Sequence, residues 1–357
     1  DNIRDGLFKL GEVEIRNIWA GGFNLTQPLF TGGKIVAYND LRSYAQELAK
    51  NMKETQMTEV IMEVDNAYWQ VVSVANKKKL AESYVELMKK MDSDITAMEE
   101  EGVATKADKL SVDVKLNEAE MALTKAENGL SLAKMLLSQI CGLDISDQIT
   151  LQDENIDQVS IPMQTTVMPN VDEALENRTE IKSLELATKI YKKQETIAMS
   201  EFMPNIALTA NYVWTNPNLF NGFEKKFGGM WNVGVIVKVP LNFFSSSNKL
   251  NTAKSNTYIK QYELAEAREK ITLQINQSNY KLNEAYKQLA AARKNSEKAD
   301  ENLSYANYGF EEGVISAADA MAAHTAWVSA HSELIDAQIN VVLSQVYLNK
   351  ALGRKLY

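Results

Sequence analysis

Residues 231–243 read WNVGVIVKVPLNF. The odd positions, Trp231, Val233, Val235, Val237, Val239 and Leu241, are apolar; Asn232, Gly234, Ile236 and Lys238 face them. That alternation predicts a strand with one apolar face. After Pro240 no proline follows to residue 357. The six prolines stand at 28, 162, 169, 204, 217 and 240, so residues 29–161 are also proline-free. Both stretches are mostly Ala, Leu, Glu, Lys, Gln and Met, with apolar residues every three or four positions. Each reads as a very long helix folded back on itself once.

The two stretches are copies of one unit. Glu100-Glu101-Gly102-Val103 recurs as Glu311-Glu312-Gly313-Val314, an offset of 211, and Ala107-Asp108 recurs as Ala318-Asp319. Leu123, Ala126, Leu132, Leu137 and Gly142 match Leu334, Ala337, Leu343, Leu348 and Gly353. The unit is strand, proline, long helix, Glu-Glu-Gly-Val turn, second helix and glycine. Gly102 and Gly313 are placed to end the outgoing helices in the left-handed conformation. Thr105 and Ser316 stand three residues before Asp108 and Asp319, which predicts a capping box with Asp in place of Glu opening each return helix.

Within the helices Leu41, Tyr44, Leu48 and Met52 keep the helical spacing, as do Val60, Val64, Tyr68, Val71 and Ala75. A helix over 34–98 would be on the order of 100 Å long at 1.5 Å per residue, so it needs a partner along its length. The methionines at 52, 57, 62, 88, 91 and 98 read as core filler and Lys77-Lys78-Lys79 as a solvated face. The expected boundaries are a first repeat over 1–142 (strand 12–28, hairpin 31–141) and a connection over 143–170. A second repeat follows over 171–353 (helix 171–201, strands 202–215 and 230–243, hairpin 246–352). In the first strand Val13, Ile15, Trp19, Phe23 and Leu25 share a parity; in the strand after Pro204 Ile206, Leu208, Ala210, Tyr212 and Trp214 do.

Composition narrows function. A chain 45% hydrophobic and 24% charged is not disordered, and a net charge of −9 argues against nucleic acid. The single cysteine, Cys141, excludes an internal disulfide. No run is long and apolar enough for a membrane helix, and Asp1 opens no signal peptide. Gly32-Gly33-Lys34 lacks phosphate-loop spacing and reads as a bend. His324 and His331, seven apart on one helix, are too few for a metal site. No nucleophile elbow or paired-carboxylate motif stands out, so no catalytic residue, metal or cofactor is expected. Strands of about ten residues suffice for a membrane barrel. Trp19, Trp214 and Trp231 near the ends of apolar stripes read as an interfacial girdle, making Trp19, Phe23, Trp214, Trp231, Val233, Val235 and Val237 the lipid-facing set. Three strands cannot close a barrel, so the chain is expected to oligomerise. The second unit has a helix and strand before its Trp231 strand, and the first lacks counterparts, which are expected upstream of Asp1. A soluble periplasmic coiled-coil adaptor is the alternative; it accounts for the hairpins and leaves the strands unexplained.

In this order and spacing the chain resembles TolC-like outer-membrane efflux proteins. The resemblance rests on Thr26-Gln27-Pro28-Leu29-Phe30-Thr31-Gly32-Gly33, Val239-Pro240-Leu241-Asn242-Phe243, the Glu-Glu-Gly-Val tips, and Phe202-Met203-Pro204-Asn205-Ile206 entering a strand. It implies a mixed, mainly helical membrane protein: a homotrimer whose strands build one shared outer-membrane barrel, continued by a periplasmic helical barrel, with residues 143–170 in an equatorial girdle. It also implies a passive exit duct for drug efflux or type I secretion, partnered by an inner-membrane transporter and a periplasmic adaptor. The adaptor would dock on tips Gly102, Val103, Ala104 and Thr105, and Gly313, Val314, Ile315 and Ser316. The family's gate carries two acidic residues on the last helix. Asp319 matches the first, with Asp108 its counterpart in the first repeat, while the second falls on Ala322. The tyrosine and arginine that lock the family's closed state fall on Phe310 and Ile315, so apolar packing would replace that lock.

Overall fold

A computed structural model describes residues 17–154, 161, 170–220 and 225–354. The order is β1 (Trp19–Phe30), α1 (Lys34–Glu100), α2 (Lys106–Ile140), α3 (Val171–Asn177), α4 (Thr179–Met199), a 3-10 turn (Ser200–Phe202), β2 (Asn205–Asn216), β3 (Gly228–Lys238), α5 (Phe243–Glu311) and α6 (Ala317–Ala351). Two compact units divide the chain, one from Asp1–Ala49 and Ser183–Leu264, the other from Lys50–Lys182 and Ala265–Tyr357.

The first unit holds an antiparallel sheet in the order β1-β2-β3. The first strand differs from its expected span of 12–28. Its beginning, with Val13 and Ile15, lies outside the described residues, and β1 continues through Pro28 to Phe30. Proline is tolerated there because β1 is an edge of the described sheet, where a missing N–H breaks no ladder on the open side. The register shifts just after it, between Pro28 and Phe30. The expected strand 230–243 is shorter: β3 stops at Lys238, and Phe243 already opens α5. Strand 202–215 starts late, at Asn205, because the 3-10 turn occupies its first residues and Met203 and Pro204 follow. Gly32 and Gly33, at φ +60° and +83°, make the bend from β1 into α1. Lys193 pairs with Asp40 at 2.7 Å, tying α4 to the start of α1.

In the second unit the four long helices bury small and medium apolar residues between them. Ala67, Val71 and Leu137 join α1 to α2, and Val72, Ile335 and Ile339 join α1 to α6. Ala285, Leu289, Ala292, Ala337 and Val341 join α5 to α6. Met62, Met88 and Met91 fill the core as expected, while Met52 and Met57 are exposed. The lysine run is not merely solvated: Lys77 pairs with Asp336 of α6 at 2.8 Å, Lys78 with Glu82, and Lys79 donates to the Glu154 carbonyl. Leu151–Glu154 is clipped to α1 and α2, with Tyr68 donating to Asp153 at 2.7 Å and Lys134 pairing with Glu154 at 2.7 Å. Most of 143–170 beyond Glu154 lies outside the described residues.

The single helix expected over 171–201 is broken at Arg178, which is extended at φ −63° and ψ 122°. The buried Arg178 guanidinium donates to both Glu180 carboxylate oxygens at 2.9 Å, to the carbonyls of Lys350 and Ala351 at 3.2 Å, and to Gln274. A cation on the last carbonyls of α6 satisfies orphan acceptors and opposes the helix dipole. That pull costs the helix one residue.

All four long helices of this unit end alike. The Val103 N–H donates to Met98 and that of Gly102 to Glu99, the two bonds of a Schellman motif. The same pair recurs at Gly142, Gly313 and Gly353. The four glycines lie between φ +66° and +80°.

Candidate functional site

The sheet sorts its residues by pairing. Phe23, Tyr212 and Trp231 stand side by side across the three strands, and Gly21, Trp214 and Gly229 form the next level. Trp19, Phe23, Trp214, Trp231, Val233, Val235 and Val237 therefore share one face, and Leu25, Ala210 and Leu208 complete it. The face is open: Phe23 is 75% exposed and Trp231 73%, with the three valines near 60%. The aromatic rings gather at one end, where Phe23 and Tyr212 flank Trp214 at 5.5 and 5.8 Å. A Cβ at Gly21 would lie 2.6 Å from the Trp214 ring, so that glycine is what lets the indole lie down across the strand. Tyr212 joins this aromatic cluster, and its place opposite Phe23 and Trp231 was not among the expected set.

The other face is mostly polar or small, with Val213, Met230 and Ile236 as larger apolar residues on it. Asn24, Asn211 and Asn232 are register partners. Asn24 donates to Asn211, Asn211 donates to Asn232 at 2.8 Å, and the Thr26 hydroxyl donates to Asn24. The three amides form one hydrogen-bonded row across the sheet, which strand-by-strand alternation did not reveal.

The hairpin tips follow from local chemistry. At the first, the Thr105 hydroxyl and backbone N–H donate to the Asp108 carboxylate at 2.6 and 3.1 Å, and the Asp108 N–H donates back at 3.2 Å. Those donors hold the exposed Asp108 carboxyl below its usual range. At the second, the Ser316 hydroxyl donates to the Asp319 carboxylate at 2.7 Å and the Asp319 N–H donates back at 3.2 Å, without the backbone bond from the cap residue that completes the expected capping box at the first. Gly102, Val103, Thr105, Gly313, Val314 and Ser316 are exposed, with Val314 at 82%. Ala104 packs on the cluster beneath and Ile315 is half-buried.

Phe310 is 5% exposed, in a cluster drawn from all four long helices: Val85, Met88, Met91 and Ile95 of α1, Val112 and Ala119 of α2, and Ala317, Ala320 and Met321 of α6. Ile315 lies against Gly309, and Asp319 lines a shallow groove with Ile315, Tyr305 and Ala322. Asp319 and Ile315 thus meet on one groove, while Phe310 belongs to the core and Asp108 to the other tip. Around the tips Lys109 bridges Asp92 and Asp113, and Lys90 of α1 pairs with Glu311 of α5. The two histidines do not converge: His324 bonds Asn307 at 2.7 Å and His331 bonds Asp300 at 2.9 Å. Asp300 also accepts from Trp327 at 2.7 Å. Among the described residues no group of three or more His, Cys, Asp or Glu could hold a metal ion, and no helix is long and apolar enough to cross a membrane.

The sequence profile of outer membrane efflux proteins matches residues 170–354, more than half of the chain. The chain belongs to the outer membrane efflux protein family. Its place is the outer membrane of a Gram-negative bacterium, extending into the periplasm. The soluble-adaptor alternative falls with this match. Similar solved structures include the CusC channel, with a TM-score of 0.84 at 15% identity over 97% of this chain and 81% of the other. VceC of Vibrio cholerae gives 0.77 at 14% identity over 100% and 91%. The open state of the MtrE channel of Neisseria gonorrhoeae gives 0.77 at 16% over 99% and 84%. At such identities these likenesses establish the fold. No curated protein sequence matches the chain significantly. As an outer membrane efflux protein, the chain is part of a channel, and trimeric assembly with tripartite pump partners is general in this family.

Proposed function

We propose that this chain is the passive exit duct of a tripartite drug-efflux or type I secretion assembly, working as a homotrimer. The observation that carries this is the described sheet itself. Its aromatic and valine face is exposed, its opposite face carries a hydrogen-bonded asparagine row, and both outer strands of the described sheet have open edges. Such edges cannot stand in hydrocarbon, and barrel closure by further copies of the chain satisfies them. The apolar face then meets outer-membrane lipid and the asparagine row lines the water-filled lumen.

The hairpin tips are the docking points for a periplasmic adaptor, which couples the duct to an inner-membrane transporter. The periplasmic gate is assigned to Asp319 and Ile315, which share one groove, with Phe310 packed in the core beneath and Asp108 on the other tip. Phe310 supplies the apolar packing that keeps the tips together, and Asp319 lends the constriction negative charge, which favours cations. No side chain is assigned a catalytic role and no cofactor is needed.

Full-length purified protein in planar bilayers is the test. Cation-selective pores are expected, with divalent block weakened by Asp319→Ala. Anion selectivity, or no pores from a folded trimer, would count against the duct.

A further inference from the structure

His324 is among the most buried side chains of the molecule, 2% exposed, yet only half of its imidazole is satisfied. Nε2 meets the Asn307 side-chain oxygen at 2.7 Å, while Nδ1 is buried without any hydrogen-bond partner. The ring borders a small cavity between three helices: α1 contributes Leu87, Lys90, Met91 and Asp94, and α5 contributes Asn307, Phe310 and Glu311. The charged groups facing this spot are therefore Lys90 and Asp94 from α1 and Glu311 from α5. Lys90 and Glu311 are already paired with each other, across the two hairpins.

A buried imidazole fits this position only as the neutral form. Nε2–H donates to Asn307, and Nδ1 keeps a bare lone pair, buried and without a partner. A proton taken up at Nδ1 turns that lone pair into an N–H donor carrying a full charge, a costly combination where no acceptor is in reach. Relief comes from opening the α1–α6 packing, so that Nδ1–H reaches water or competes with Lys90 for the carboxylates of Glu311 and Asp94.

We propose that His324 is the proton sensor of the periplasmic tips: protonation at Nδ1 loosens the second hairpin from the first. The proposal rests on the export-duct reading only in that parted tips admit solute. Burial holds the imidazole below its ordinary value of 6.5. Packed tips therefore keep their full stability above about pH 6.5 and lose it as pH falls from there toward the depressed value. Over that window each histidine shifts the ratio of parted to packed tips by up to about tenfold per pH unit.

The test reads tip separation directly, so it does not depend on conduction. Spin labels at Glu101 and Glu312, both exposed, are placed in the full-length detergent-solubilised protein with Cys141 replaced by Ser. Interlabel distances are measured from pH 7.5 to pH 5. Wild type should widen below about pH 6.5, H331Q should widen equally, and H324Q should stay flat. E311Q should start wider at pH 7.5, because Lys90 has lost its partner. A wild type that does not widen, or an H324Q protein that widens as wild type does, overturns the proposal.

Discussion

Replacing Gly309 by Ala tests the packing of the second tip. An ideal Cβ there would lie 2.6 Å from the Ile315 Cδ1 and 2.7 Å from its Cγ1. Real side chains do not approach that closely, so Ile315 must move off the helix. Overpacking of this kind costs about 1–3 kcal/mol. The gain from Gly to Ala inside a helix offsets about 1 kcal/mol. The single variant should therefore lie between neutral and about 2 kcal/mol less stable. Ile315→Ala alone removes a half-buried side chain and should cost about 2 kcal/mol, the low end for large-to-small changes. Combined, the two changes remove the clash and keep the helix gain, so the coupling energy should favour the double variant by about 1–3 kcal/mol. The first tip already carries the reversed arrangement. At the positions 211 earlier, Met98 is large and Ala104 small, and the Ala104 N–H donates to the Met98 carbonyl as that of Ile315 does to Gly309. The assay is a double-mutant cycle by denaturant unfolding of the detergent-solubilised protein. Additivity within about 0.5 kcal/mol would refute the reasoning.

Other outcomes follow from single contacts. Val235→Arg puts a charge on the exposed apolar face and should cost about 2–4 kcal/mol of folding free energy in lipid if that residue lies near the bilayer midplane; equilibrium folding into vesicles measures it. Arg178→Ala strands the Lys350 and Ala351 carbonyls and should cost about 3 kcal/mol, read as a lower unfolding midpoint. Thr105→Ala removes the donor that holds the Asp108 carboxyl low, so its NMR titration should return upward toward 3.8. In wild type that contact stabilises the tip above the unfolded carboxyl value, and it fades as pH falls through the lowered one.

What the sequence reveals is what local chemistry decides. Gly102 and Gly313 stop their helices, and Thr105 and Ser316 start the next, through bonds spanning only a few residues. Period-two alternation placed Val233, Val235 and Val237 on one face because a strand turns every side chain over in sequence. Long-range determinants stayed hidden. Arg178 breaks a helix because its acceptors lie on Lys350 and Ala351, far along the chain. Pro28 looked like a strand end because edge position is a property of the sheet. The asparagine row needed the register of three strands, and His324 gains meaning only from Asn307 and the helices around it.

The four glycine-stopped ends also make the hairpins a ruler. The outgoing helices have 67 and 69 residues and both return helices 35, and their tips stay aligned because the extra residues enter at the sheet end. Inserting one residue would rotate everything beyond it by about 100° and turn the buried stripe outward. Inserting seven turns it by only about 20°. A change of length that keeps the buried stripes facing inward therefore comes in steps of one heptad, added to both arms of both hairpins.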